Sequence, residues 1–140
     1  MQLTYQAETN SLRLTQGKGE ARSERLQSVD LDGYVDVGQG GRLLGVEALT
    51  GGRHDISLML SSWLADPDTA EWVDLDVDSV YITLSLPDDP ELAAPGVSLG
   101  EVLTAPARLR AELDQSARLV ALSIPRRGAG YEISYPGGNR

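Results

Sequence analysis

The chain has no cysteine and no phenylalanine, and only one lysine (Lys18) and one histidine (His54). Without cysteine there are no disulfides, no thiolate-held metals and no cysteine nucleophile. Without phenylalanine the core must be built from Leu, Val and Ile with a few Tyr and Trp, and branched aliphatic side chains suit the pleated surface of a sheet. Cations are outnumbered, 12 Lys and Arg against 21 Asp and Glu, which leaves a net charge of −9. Such a surface repels phosphate backbones and anionic lipid, and Arg126-Arg127 is too short a basic run to offset it. The charge therefore predicts no nucleic-acid and no membrane partner; it points mostly to solubility, with a basic protein partner as the secondary reading. No apolar run approaches a membrane span, and Met1-Gln2-Leu3-Thr4-Tyr5 has neither the basic nor the apolar part of a signal segment. A cytoplasmic location is the expectation.

What is present is short alternation. Leu3 and Tyr5 alternate with Gln2 and Thr4, and Asn10-Ser11 turns into Leu12-Arg13-Leu14. Gln16-Gly17-Lys18-Gly19 breaks the chain, and a weak third strand is expected over Ala21 to Leu26. Tyr34-Val35-Asp36-Val37 alternates cleanly, Gly38 to Gly41 turns, and Arg42 to Leu49 returns as a long apolar strand. Gly45 inside that strand calls for a bulky neighbour, with Tyr34 or Tyr5 as the expected cover.

After Gly51-Gly52, Asp55 is placed to cap a helix whose apolar face is Ile56, Met59, Leu60, Trp63 and Leu64, and Asp66-Pro67 ends it. Alternation resumes at Trp72. Val73, Leu75 and Val77 are expected on one face of a strand and Asp74, Asp76 and Asp78 on the other, and Val80 to Leu84 continues it. Pro87 to Pro95 reads as a polar loop, and Ser98-Leu99-Gly100-Glu101 as a capping box. Pro106 to Leu113 favours helix by composition but alternates as a strand, and an internal repeat decides for the strand.

In that repeat Asn10-Ser-Leu-Arg-Leu-Thr15 aligns with Asp78-Ser-Val-Tyr-Ile-Thr83, and Arg42-Leu43-Leu44 with Arg118-Leu119-Val120. Gln39 then falls opposite Gln115, Asp36 opposite Glu112 and Val37 opposite Leu113. The fold expected is mainly β: two tandem diverged antiparallel β-meander modules sharing one core, with one short helix at about 56–65. The modules span 1–52 and 71–135, joined by a helical connector over 53–70 and followed by a frayed tail at 136–140, all within one compact domain. Tyr131 to Tyr135 is expected as an edge strand.

Leu3-Thr-Tyr5, Asn10-Ser-Leu-Arg-Leu14, Val35-Asp-Val37 and Gly41 through Leu49 together resemble the YuzE-like bacterial family, a domain of unknown function, over about residues 1–50. Gln6 and Asn10 stand where that family carries two carboxylates, while the closing segment through Gly45 and Glu47 fits it. Ala121 and Ser123 replace Gly45 and Glu47 in the second copy. The resemblance implies a small β module without known catalytic residues. Because some members lie beside toxin-like genes, it also implies an antitoxin-like or partner-binding role.

No residue is assigned to catalysis, to a cofactor or to a metal. His54-Asp55 with Ser57, Ser61 and Ser62 supplies hydrolase parts without the spatial arrangement a triad needs, and Asp55 serves better as a cap. Asp74, Asp76 and Asp78, with Asp66, Asp68, Asp88 and Asp89 near, read as a solvated face, because carboxylates in a row on a strand diverge where a cation needs them to converge. Asp30 and Asp32 read the same way. Glu47 has no evident acidic partner beyond Asp36 across the hairpin, and the glycine runs lack the lysine and helix of a phosphate loop. The function expected is a non-enzymatic protein-interaction module with a basic partner and homo-oligomers possible through edge strands. The alternative is a divalent-cation or small-ligand binder using the acidic strand face.

Overall fold

Leu12 and Leu14 project to one side of a strand and Ser11, Arg13 and Thr15 to the other, and the same period of two runs through most of the chain. The computed structural model describes residues 1–16, 25–51, 55–84 and 102–134. In chain order the first strands are β1 Gln2–Gln6, β2 Ser11–Thr15, β3 Gln27–Val37 and β4 Leu43–Leu49. Three helical turns follow, α1 Ile56–Met59, α2 Ser61–Ala65 and α3 Pro67–Ala70. Then come β5 Val73–Leu75, β6 Ser79–Thr83, β7 Leu103–Leu113, β8 Leu119–Pro125, β9 Arg127–Gly128 and β10 Tyr131–Glu132. The protein is mainly β.

Eight strands form one antiparallel sheet in the order β1-β2-β8-β7-β3-β4-β6-β5. Exchanging the first four strands for β5 to β8 reverses this order onto itself. The registers obey the same exchange. β3 and β7, each 11 residues long, pair along their whole length from Gln27 opposite Leu113 to Val37 opposite Leu103. Ser11 pairs with Pro125 as Ser79 pairs with Leu49, and the ladder slips at Asp36/Val37 as it does at Glu112/Leu113. Approximate two-fold symmetry therefore relates the halves about an axis at the Asp32–Arg108 pair. The halves interleave: β2 lies beside β8, not beside β3, so each half borders the other along a full-length seam.

The turns also correspond. Gly38 N–H donates to Arg42 O at 2.7 Å, as Asp114 N–H does to Arg118 O at 2.9 Å. Gly41 and Ala117 both have positive φ, 83° and 64°. Only glycine takes that conformation without strain, and Ala117 is held there by Asp114, whose carboxylate accepts the N–H groups of Ser116 and Arg118. Gly41 has a second constraint, because a Cβ there would lie 2.9 Å from Glu132 O.

One face of the sheet builds the core: Leu12, Leu14, Leu31, Val35, Val46, Ile82, Leu109, Leu122 and Ile124 cluster with Ile56, Met59, Leu60 and Trp63 from the helical segment. Trp63 closes its own polar end by donating Nε1–H to Leu119 O at 2.8 Å. The segment after β4 thus reaches across to β8. The segment after β8 reaches back likewise, burying Tyr131 and Ile133, with Ser134 N–H donating to Gly41 O at 2.9 Å.

Several expectations are corrected. The helix of about 56–65 is broken at Leu60, and Asp66 caps a further turn with Pro67 in its first position, where a proline is at no disadvantage. Asp55 caps α1 as expected, accepting Leu58 N–H at 3.2 Å. The strand from Trp72 stops at Leu75: Asp76 to Asp78 turn the chain, Val77 is 88% exposed, and β6 runs back against β5. The tail does not extend the sheet edge, since β10 pairs with β9 as a separate hairpin. Of the strand expected over Ala21 to Leu26, the described residues Arg25 and Leu26 are not in a strand, and β3 begins at Gln27. Residues 21–24, His54, the loop from Pro87, the capping box at Ser98 and Tyr135 lie outside the described residues. Among the described residues no helix is long and apolar enough to cross a membrane.

Candidate functional site

The face opposite the core carries the alternate residue of every strand, and direct pairing places them in rows across the sheet. One row runs Tyr34 on β3, Glu47 on β4, Tyr81 on β6 and Asp74 on β5. Its symmetry counterpart runs Arg110 on β7, Ser123 on β8, Arg13 on β2 and Thr4 on β1. Between them lies the seam, where Asp32 pairs with Arg108 at 3.2 Å and Asp30 with Arg110 at 3.3 Å, all well exposed. The symmetry partners of Asp30 and Arg110 are Pro106 and Tyr34, themselves opposite one another.

Each side of the sheet about the β3–β7 seam, β3-β4-β6-β5 on one and β7-β8-β2-β1 on the other, has a side chain that crosses one strand to reach the next. In the first, Tyr81 donates its hydroxyl across β4 to Asp36 at 2.6 Å, and Thr104 donates to the other oxygen of that carboxylate at 2.6 Å. The ring passes over Gly45, where a Cβ would sit 2.9 Å from Cε2 and closer still to Cζ and the hydroxyl. The bulky neighbour that Gly45 requires is therefore Tyr81, not Tyr34 or Tyr5. Burial pushes the Tyr81 hydroxyl well above the usual tyrosine range, helped by its bond to Asp36 and by the negative charge of Asp36 and Glu47. In the second half Arg13 reaches across β8 to Glu112 at 2.7 Å, with both side chains about three-quarters buried.

Open grooves flank the seam. The one beside Arg110 has a volume of about 470 Å³ and is lined by Arg13, Glu112 and Ser123 with Ser11 and Asp30. The other, about 440 Å³, is lined by Tyr34, Leu49 and Pro106 with Asp32. Arg108 borders both.

Glu47 is half-buried between Tyr34 and Tyr81, and Asp36 faces Gly45 rather than Glu47, so the two carboxylates are not a pair. Asp74, Asp76 and Asp78 do not form one row. Asp74 lies on β5, the Asp76 carboxylate accepts Val77 N–H, and Asp78 lends its carbonyl to Thr50. Among the described residues no three His, Cys, Asp or Glu side chains converge as a metal ion would need. The basic dipeptide is occupied internally. Arg127 and Arg126 both pair with Glu132, whose carboxyl is held below its usual range chiefly by the Arg127 hydrogen bond, and Arg126 also lies over the Tyr5 ring. Tyr81 and Arg13 were not among the residues singled out, although the repeat set them opposite one another.

Comparison with protein-family models, curated proteins and solved structures gives no match.

Proposed function

We propose that the chain is a non-enzymatic protein-interaction module that engages a basic partner through the outer face of its sheet. The observation that carries this reading is the pair of open grooves on either side of Asp32–Arg108, on the face opposite the core and its helical segment. An outer face with exposed aromatic and charged rows suits recognition of another protein, and the net charge of −9 favours a basic one. Cytoplasmic residence and kinship with the YuzE-like family belong to the same proposal. So does descent of the two halves from one duplicated unit, which the matching registers, turns and bulges support.

The test is affinity purification of the tagged chain from its host, run beside the double variant Asp30→Asn with Asp32→Asn, which removes one carboxylate from each groove. A stoichiometric companion recovered by the native chain and lost with the double variant, at a melting temperature within a few degrees of the native one, is the expected result. Equal recovery by both would remove the outer face from the reading. Turnover of a substrate by the purified chain would remove the non-enzymatic part.

A further inference from the structure

The sheet is electrically divided. Strands β3, β4, β5 and β6 carry Asp30, Asp32, Asp36, Glu47 and Asp74 and no lysine or arginine, whereas Arg13, Arg108 and Arg110 all lie on β2 and β7. Within the acidic half most charge is already answered. Arg110 and Arg108 meet Asp30 and Asp32, and two hydroxyls satisfy Asp36. Glu47 and Asp74 have no cationic partner among the described residues. They stand in one row, separated by Tyr81, and Tyr34 begins the row with 41% of its surface exposed.

We infer that the row Tyr34–Glu47–Tyr81–Asp74 is the docking surface for an arginine-bearing segment of a basic protein. The inference rests on the interaction-module reading and names the seat and the partner's chemistry. A guanidinium laid on the Tyr34 ring meets the negative face of the aromatic and brings its N–H fork to the Glu47 carboxylate. Arginine suits this seat better than lysine, because its planar head stacks and pairs at once. Tyr81 cannot turn away to close the row, since its hydroxyl is held by Asp36. Strands lie about 4.8 Å apart, so Glu47 and Asp74, two strands apart, stand roughly 10 Å from each other. A polyproline-type segment brings residues three apart onto one side at roughly 9 Å, so two arginines at that spacing would meet both carboxylates. A second copy of the chain is a poor occupant by charge, since each copy carries −9.

The probe is a capped peptide of serine and proline with two arginines three residues apart, titrated calorimetrically against the full chain. Four proteins are compared: native, Glu47→Gln, Tyr34→Ala, and Glu8→Gln, which removes the same charge from an exposed turn. Glu47→Gln and Tyr34→Ala should each weaken binding roughly tenfold, Glu8→Gln less than about twofold, and a lysine version of the peptide should bind more weakly. Equal losses from Glu47→Gln and Glu8→Gln would reduce the effect to general attraction and overturn the inference. So would no binding by the native chain, or self-association that Glu47→Gln abolishes. A cellular companion lost with Asp30→Asn and Asp32→Asn but kept by Glu47→Gln would leave the module reading standing and overturn this seat alone.

Discussion

Tyr34, Glu47, Tyr81 and Asp74 occupy, in one half of the sheet, the positions that Arg110, Ser123, Arg13 and Thr4 occupy in the other. The backbone beneath is the same in strand order, register and bulge, and in both halves a long side chain crosses the middle strand to the carboxylate at the bulge. The bond it makes there differs. Tyr81 reaches Asp36 as a neutral donor over Gly45, while Arg13 reaches Glu112 as a cation past Ala121. Register decides where the crossing side chain goes, and the residue underneath decides which side chain can cross. A ring needs the space of a missing Cβ, whereas a guanidinium on a slim stem passes over an alanine.

The largest effect should come from removing that space. Gly45→Ala puts a methyl group where the Tyr81 ring lies, and overpacking of this kind costs about 2 kcal/mol. Denaturant unfolding should show the loss, and adding Tyr81→Ala should recover part of it, giving a coupling of about 1 kcal/mol in the double-mutant cycle. Strict additivity would mean that ring and glycine do not depend on each other. Arg13→Tyr makes the reciprocal change. It should destabilise by about 1–2 kcal/mol, leaving Glu112 without its cation, and Ala121→Gly should then improve it where the same change in the native chain costs about 1 kcal/mol.

Titration separates the two crossings next. The Tyr81 hydroxyl is pushed up in the folded chain relative to a free tyrosine near pH 10. Its contribution is therefore fully present below that pH, and is lost as the pH rises through 10 toward the folded value. Tyr81→Phe should lose about 1 kcal/mol at neutral pH, the net worth of one hydrogen bond, and should show a shallower decline in melting temperature above pH 10. The decline should not vanish, because burial also raises Tyr131. Arg13→Met should keep the full alkaline decline. An identical slope in the native chain and Tyr81→Phe would detach the hydroxyl from the stability of the fold.

Much of the fold was legible because alternation and repetition are local signals. The alignment of Asp36 with Glu112 and of Arg42 with Arg118 correctly required a strand at Arg108 to Leu113 against its helical composition. What local signals do not carry is which strand lies beside which. Placing β6 against β4 is a choice among non-adjacent segments, and it sets Tyr81, not Tyr34, over Gly45. The acidic row at Asp74 to Asp78 misled for the same reason: strict alternation continues through a turn as readily as through a strand, and only the return of β6 onto β5 reveals the break. The candidate rows were half visible. Glu47 could be marked as a lone carboxylate, and Tyr34 faces it across the β3–β4 hairpin, but Tyr81 and Asp74 come from strands farther along the chain.

The smallest effect belongs to the one pair that the two halves share. Asp32 and Arg108 occupy equivalent positions on β3 and β7 and face each other across the axis, so exchanging them gives each half the other's residue and leaves the surroundings otherwise as they were. Their side chains are 77% and 69% exposed, and water screens most of their attraction. The exchanged variant, Asp32→Arg with Arg108→Asp, should unfold within about 0.5 kcal/mol of the native chain. Asp32→Arg alone sets two arginines opposite each other and should cost up to about 1 kcal/mol at low salt, less as salt is added. A large loss in the exchanged variant would mean that the axis is only approximate at its centre, with Asp30 or Pro106 holding the seam in one polarity. A neutral exchange would place the difference between the halves in the crossing side chains and in the residues beneath them.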